Sequence, residues 1–121
     1  MSDILKQLKI KTGVVNRLVK EEVSYKKEVE QQEKHIQSLI DQGQDKWTVN
    51  KQKEVLQESR VMIPDTQRRL QAAISDLDLL LEDLDDSNRE APEAVAAREA
   101  VQKANEAQAK SQAEAQAEAQ A

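Results

Sequence analysis

Residues 56–77 read LQESRVMIPDTQRRLQAAISDL, which is the composition of an amphipathic helix with a proline near its centre. Apolar or small residues recur at alternating spacings of four and three on both sides of the proline. The phase passes through Ile63, Thr66 and Leu70 without a break. Because this period places its residues along one helix face, the stretch predicts a helix that continues across Pro64.

The proline at position 64 leaves two interpretations open. Its ring has no backbone N–H and crowds the carbonyl of Arg60, which costs about 3 kcal/mol inside a helix. If one helix ended here, Ile63 would have to cap the next helix, and an apolar residue caps poorly. The unbroken phase favours a continuous helix that is kinked at Pro64. Such a kink either fits the curvature of a bundle or shapes a surface for a partner.

The same period runs along two long segments of the chain. Residues 4–39 contain eleven positions at this spacing, of which eight are apolar, and residues 49–84 contain a second series. We call these two series the seam. Further apolar residues flank it, so each helix is expected to contact more than one neighbour. The seam comprises Ile4, Leu8, Lys11, Val15, Leu18, Glu22, Tyr25, Val29, Gln32, Ile36 and Leu39, then Val49, Gln52, Leu56, Ser59, Ile63, Thr66, Leu70, Ala73, Leu77, Leu80 and Leu84; the flanking residues are Val14, Val19, Val23, Val55, Met62, Ile74 and Leu81.

A short polar connection separates the two seam segments. Gly43 suits the left-handed position just past the end of a helix. Thr48, or alternatively Asp45, suits the cap at the start of the next helix. Two long helices are therefore predicted over about residues 3–42 and 48–86.

The short connection and the charge pattern both favour an antiparallel hairpin. Residues 4–20 carry five basic side chains and no acidic one, whereas residues 76–86 carry six acidic side chains and no basic one. An antiparallel hairpin would place these segments side by side, where opposite charges help to set orientation. The alternative is two independently solvated faces.

The remainder of the chain predicts a third helix with a thin apolar face. Pro92 is tolerated in a first helical turn, and a helix over about residues 91–110 would complete one domain over residues 1–110. Residues 111–121 are rich in Ala, Gln and Glu without an apolar stripe, so they are predicted to fray as a low-complexity tail. The thin face consists of Ala94, Ala97, Val101 and Ala104, with Val95 beside it.

The overall composition agrees with helices and disfavours sheets. Aromatic residues make up 2% of the chain and charged residues 34%, with two glycines and two prolines. Sheet proteins need more turn residues and more β-branched and aromatic runs. The predicted fold is all-α: a long antiparallel, coiled-coil-like hairpin, with its second helix kinked at Pro64, completed by a third helix into a three-helix bundle.

No residue pattern is typical of catalysis or of a cofactor site. The chain has no cysteine, and its one histidine, His35, has no His or Cys three or four residues away. Glycine-rich phosphate loops and zinc motifs are missing. Interleaved charges without stacking aromatics disfavour nucleic acid, and the net charge of −5 disfavours a membrane surface. We predict a soluble, intracellular protein-binding module that is not an enzyme.

Three segments resemble the tubulin-specific chaperone A family, also called tubulin folding cofactor A. They are KIKTGVVNRLVKE (9–21), YKKEVEQQEKHI (25–36) and the opening stretch 56–77, in matching order and spacing. The resemblance covers about residues 5–86, after which the sequence is expected to depart from the family pattern. A weakly docked third helix would leave the seam partly uncovered, which favours a homodimeric four-helix arrangement.

The resemblance implies a function and a set of contact residues. Members capture β-tubulin released from the cytosolic chaperonin, hold it in a quasi-native state and pass it on, with other tubulin folding cofactors, towards αβ-tubulin dimer assembly. No nucleotide or metal is used, and the protein is cytoplasmic, associated with the microtubule cytoskeleton, and either a monomer or a homodimer. Thr12 and Met62 have a core role as the alternative. The expected β-tubulin contacts are Lys9, Lys11, Thr12, Arg17, Lys20, Glu58, Arg60, Met62, Pro64, Asp65, Arg68 and Arg69.

The alternative function is a generic coiled-coil scaffold or dimerisation module that binds no tubulin. Such a module would have an uninterrupted seam and a partner selected by charge. The central proline and the RVMIPD stretch at residues 60–65 disfavour it.

Overall fold

The protein folds into three helices. The computed structural model describes residues 3–120, and its helices are α1 (Asp3–Asp41), α2 (Lys46–Glu82) and α3 (Pro92–Gln120). No strand occurs within that part of the chain. The all-α, three-helix prediction is confirmed.

The end of α1 follows from the glycine after it. Gly43 has a φ of 73°, a conformation that glycine adopts without steric penalty. The N–H of Gln44 donates to the carbonyl of Leu39, and the N–H of Gly43 donates to the carbonyl of Ile40, both at 3.0 Å. This pair of bonds is the Schellman arrangement, and it satisfies carbonyls that the helix end leaves unpaired.

The start of α2 is capped by Asp45, the alternative that the sequence left open. Its Oδ1 accepts the backbone N–H of Thr48 at 2.7 Å. The helix consequently begins at Lys46, two residues before the predicted start. Thr48 itself lies inside the first turn.

The end of α2 comes at Glu82, earlier than the predicted residue 86. Asp83, Asp85 and Asp86 follow in close succession. Negative charge is unfavourable near the negative end of the helix macrodipole, which gives a physical reason for the earlier end. Leu84 lies beyond the helix yet is 5% exposed, so the chain keeps its seam residue in the core.

The middle of α2 contains Pro64 within one continuous helix. The interpretation in which the proline ends a helix is therefore wrong, and the unbroken apolar phase was the informative signal. The bend at Pro64 stays a prediction. Every seam position of both helices is buried or half-buried, as the period of four and three residues predicts.

The described chain divides into two compact units. Lys20–Gln67 contains parts of α1 and α2 only, and we call it the two-helix unit. The described residues before Lys20 and after Gln67 form the three-helix unit, which includes all of α3. Each unit has a separate apolar core.

The core of the three-helix unit joins leucines and valines of α1 and α2 to alanines of α3. Leu8, Leu70 and Leu77 are fully buried. The predicted α3 face is confirmed for Ala94, Ala97 and Ala104, which are fully buried. Small side chains bury little surface each but allow close approach of the helix. This helix covers the seam of its own unit, so the expected partly uncovered seam does not occur there.

The far end of α3 extends beyond the prediction. The helix continues to Gln120, whereas the sequence predicted an end near residue 110. Ala, Gln and Glu all have high helix propensity, which gives a physical reason for the extension. Residues 112–120 are exposed throughout.

The core of the two-helix unit is narrower. Ile36, Val49 and Leu56 are buried, with Val29 and Leu39 packed against them. Two of its interhelical hydrogen bonds join Gln32 Nε2 to Gln52 Oε1 at 2.7 Å and Gln67 Nε2 to Glu22 Oε2 at 3.4 Å. From the first pair to the second, the residue number on α1 decreases from 32 to 22 while that on α2 increases from 52 to 67. The two helices therefore run antiparallel, which confirms the predicted hairpin.

Two flanking valines of this unit differ from the prediction. Val23 and Val55 are 49% and 45% exposed, although both were expected to broaden a buried stripe. The unit contains only two helices, so only the seam between them is buried. The predicted flanks are correct where α3 is present: Val14, Val19 and Leu81 pack against the core of the three-helix unit, and Ile74 belongs to it.

Candidate protein-binding surface

An open groove of about 650 Å³ lies on the two-helix unit. We call it the Tyr25 groove. Tyr25 of α1 contributes one wall, and the stretch of α2 from Glu54 to Met62 contributes the rest. The groove lies directly before Pro64 in the chain. Its lining residues are Tyr25, Glu54, Gln57, Glu58, Ser59, Val61 and Met62.

The helical period of α2 brings these side chains together. Glu54, Glu58 and Met62 are spaced by four residues, and residues at this spacing lie on one helix face. Val61 is adjacent to that row and is 55% exposed. Tyr25 and Met62 are half-buried. The groove therefore has an apolar floor that reaches solvent without a covering element.

The charges at the groove have one sign. Its lining contains the carboxylates of Glu54 and Glu58 and no cationic side chain. Glu54 Oε2 lies 3.7 Å from Lys51 Nζ, and both side chains are largely exposed. Glu58 has no ion pair within residues 3–120. The rim thus offers negative charge to an incoming group.

A second, more polar concavity of about 320 Å³ lies on the same unit. Arg60 Nη2 donates to Glu33 Oε1 at 3.2 Å across the two helices. Both side chains are about half exposed, so this ion pair contributes little to stability. Ile36 and Leu56 form its apolar floor.

The predicted residues around the proline divide among these features. Glu58 and Met62 line the Tyr25 groove, whereas Arg60 lines the second concavity. Pro64 is exposed and Asp65 is half-buried. Asp65 also has an interaction partner within the protein, as do the two remaining candidates of this group, Arg68 and Arg69.

The predicted residues near the N-terminus are less uniform. Lys9, Arg17 and Lys20 are exposed. Lys11 Nζ lies 3.9 Å from Asp76 Oδ2, which is one instance of the expected pairing between the basic and acidic segments. Thr12 is 8% exposed, so its role is in the core, and it is a poor candidate for a contact surface.

Five of the seven groove residues were not among the predicted contacts: Tyr25, Glu54, Gln57, Ser59 and Val61. Tyr25 was assigned to the seam. It is half-buried, as that assignment predicts, and it also lines the groove. Val61 offered a signal: it is apolar, yet it lies outside both the seam and its flanks. Packing of the core gives no reason for an apolar residue at this exposed position of α2.

A single exposed aromatic residue lies near the start of α2. Trp47 is 70% exposed, and Lys51 Nζ lies 5.7 Å from the centroid of its ring. This distance permits a cation–π interaction, which is weak at an exposed site.

The described residues contain neither a group of metal ligands nor a membrane-spanning helix. Across residues 3–120, no three His, Cys, Asp or Glu side chains are grouped so that they could hold a metal ion. In the same range, no helix is long and apolar enough to cross a membrane. His35 is exposed on α1.

A three-helix fold with an open, apolar, carboxylate-rimmed groove defines a helical protein-binding module. Its family follows from comparison with known proteins: a family model described as tubulin binding cofactor A matches residues 3–107. The chain belongs to this family, as the resemblance predicted. The match includes much of α3, so the expected departure after residue 86 is wrong.

Relatives and solved structures agree with the assignment. Tubulin-specific chaperone A of Oryctolagus cuniculus is 50% identical over 96 residues, which is 79% of this chain and 85% of that protein. The structure described as human tubulin chaperone cofactor A has a TM-score of 0.69 at 47% identity, covering 84% of this chain and 98% of that one. For tubulin folding cofactor A from Arabidopsis thaliana, the TM-score is 0.75 at 39% identity, with coverages of 85% and 96%.

Proposed function

We propose that this protein is a tubulin-folding chaperone that captures quasi-native β-tubulin released from the cytosolic chaperonin and passes it on towards αβ-tubulin dimer assembly. The observation that carries the proposal is the family match over residues 3–107, which spans the Tyr25 groove. The relatives are named tubulin-specific chaperones or tubulin-folding cofactors.

An open groove suits capture followed by handover. A folding intermediate exposes apolar surface, which makes it prone to aggregate. The apolar floor of the Tyr25 groove can cover part of that surface. The groove is open to solvent and has charged residues at its rim, so the partner can leave without a conformational change. Fast release is what a transient complex requires, because affinity is adjusted mainly through the dissociation rate.

The proposed contact residues are those that the fold leaves accessible. Around Pro64 we propose Glu58, Arg60, Met62, Pro64, Asp65, Arg68 and Arg69, and near the N-terminus Lys9, Lys11, Arg17 and Lys20. Thr12 is omitted because it is buried. Tyr25 and Val61 are added because they line the groove.

The remaining parts of the proposal concern partners and location. The protein acts without catalysis, nucleotide or metal, in the cytoplasm and in association with the microtubule cytoskeleton. Other tubulin folding cofactors receive or exchange the β-tubulin. The chain works as a monomer or a homodimer, and sedimentation at several concentrations distinguishes the two states.

A capture assay tests the proposal directly. Labelled β-tubulin and α-tubulin are translated separately with chaperonin present, this protein is added, and the products are separated on a native gel. The expected result is a new complex with β-tubulin and none with α-tubulin. A human family member that captures β-tubulin in the same assay provides the positive control. If that control succeeds and this protein captures neither tubulin, a scaffold without tubulin binding becomes the better explanation.

A further inference from the structure

We propose that the Tyr25 groove binds an amphipathic helix whose apolar face is flanked by lysine or arginine. The inference rests on the proposed function, since the natural source of this helix would be the captured client. It adds the chemical class of the segment that is recognised and the place on the chain where it binds.

The apolar floor is the first step. Val61 is 55% exposed on the outer face of α2, next to the half-buried Tyr25 and Met62. Large exposed side chains that lie together mark an interaction site more often than scattered ones. The core of the two-helix unit does not require Val61, because Val61 lies outside the seam. A partner that covers this floor would remove the exposure.

The form of the occupant follows from the surroundings. The α2 part of the groove, Glu54 to Met62, covers about two turns, or about 12 Å. An extended peptide that binds by strand addition needs an unpaired sheet edge, and residues 3–120 contain no strand. A helix satisfies its backbone internally and presents apolar residues at spacings of three and four. The groove walls are helices, which commonly receive such a partner.

The charge of the occupant follows from the rim. Glu54 and Glu58 lie one helical turn apart beside the apolar floor, and no cation lines the groove. Glu58 also has no ion pair within residues 3–120. A lysine or arginine beside the apolar face of the partner would meet these carboxylates, whereas an acidic residue would be repelled. Charge complementarity of this kind determines specificity and register.

Two designed peptides test this specificity without tubulin. Both are helical, with leucines at the same positions; one has lysines beside the leucine stripe and the other has glutamates. Their binding to the full chain is followed by fluorescence anisotropy at low and moderate salt. The lysine peptide is expected to bind at least about tenfold more tightly, with a preference that weakens as salt increases. Equal affinities would overturn the proposal.

Two variants and one control locate the binding. Val61→Ser is expected to weaken the lysine peptide by about tenfold, and Glu58→Lys is expected to reverse the preference between the peptides. Leu79→Ser is the matched control, because Leu79 is a 60% exposed apolar residue on the same helix. It should bind like the unchanged protein. Circular dichroism verifies that each variant is folded. Unchanged binding by Val61→Ser and Glu58→Lys would exclude the groove.

The same variants separate this inference from the proposed function. If the unchanged protein captures β-tubulin and both groove variants capture it equally well, the inference fails and the chaperone role stands. If the unchanged protein captures no tubulin but binds the lysine peptide through Val61, the groove specificity is supported and the chaperone role fails.

Discussion

At the scale of single residues, Thr12 has an uncommon environment. Its hydroxyl oxygen is buried and has no hydrogen-bond partner among the described residues. A buried polar group without a partner costs about 1–3 kcal/mol, because it loses water and gains nothing in return. The sequence could not predict this, since a threonine beside the seam fits both the core and a partner surface.

Replacement of Thr12 by valine is expected to stabilise the protein. The change Thr12→Val keeps the shape and removes the unpartnered hydroxyl, so the free energy of unfolding should rise by about 1 kcal/mol. Chemical denaturation monitored by circular dichroism measures it. Thr12→Ser is the control: it keeps the hydroxyl and loses a buried methyl, so it should destabilise. A destabilised valine variant would mean that the hydroxyl has a partner in solution.

The cap of α2 gives a prediction on pH. The Asp45 carboxylate accepts hydrogen bonds from the backbone N–H of Thr48, which has the larger effect, and from the Thr48 hydroxyl. These bonds hold the pKa of Asp45 below its ordinary value of 3.8. A lowered pKa in the folded state means that the carboxylate contributes stability above the unfolded value. That contribution is lost as the pH falls through the lowered pKa.

Two substitutions at Asp45 measure this effect. At pH 7, Asp45→Ala is expected to have a lower Tm than the unchanged protein, because the N-cap is lost. The difference should shrink at pH values well below 3.8, where Asp45 is protonated. Asp45→Asn keeps a capping oxygen that does not titrate, so its Tm difference from Asp45→Ala should persist in acid. Identical pH profiles for all three proteins would contradict the assigned cap.

At the scale of the element, the seam shows what a sequence can predict. A repeat of four and three residues fixes which face of α1 and α2 is buried, and every seam position is at least half-buried. The burial of the flanking residues depends on whether a third helix lies beside them. The sequence of α1 and α2 alone does not show where α3 packs. For this reason Val14 and Val19 were predicted correctly, whereas Val23 and Val55 were not.

The proline of α2 connects stability with the proposed function. Pro64→Ala restores a backbone donor in a continuous helix, so it is expected to raise the free energy of unfolding by up to about 3 kcal/mol. We also expect weaker β-tubulin capture, because the groove-forming turn lies directly before Pro64. Denaturation and the native-gel assay measure the two effects. Ser75→Ala, at an exposed position of the same helix outside the groove, is the control for a general gain in helicity. Higher stability with unchanged capture would leave Pro64 only a role in helix curvature.

At the scale of the whole molecule, the candidate site was harder to predict than the fold. Glu58 and Met62 were identified around the proline, but Tyr25 comes from α1 and joins them only once the hairpin has formed. A sequence gives the order of the helices and their buried faces. It does not show which flank of the hairpin stays uncovered, and the groove occupies such a flank.

The outer end of α3 is expected to be dispensable for stability. All of residues 112–120 are exposed, whereas the buried alanines of α3 end at Ala104. Deletion of residues 112–121 should therefore reduce the total helical signal in circular dichroism and leave Tm nearly unchanged. Deletion from residue 100 onwards is the control, because it removes buried Ala100 and Ala104 and should lower Tm clearly. A large loss of Tm from the shorter deletion would show that the end of α3 contacts other residues.

Trp47 has a practical consequence for anyone who follows this protein by optical spectroscopy. It is the chain's single tryptophan, and with 70% of its surface exposed, its indole already meets water in the native state. Its emission maximum should therefore shift little when the chain denatures, and fluorescence would make an intact and an unfolded sample look alike. The same indole would become a sensitive reporter if a partner covered the beginning of α2, with a blue shift on complex formation.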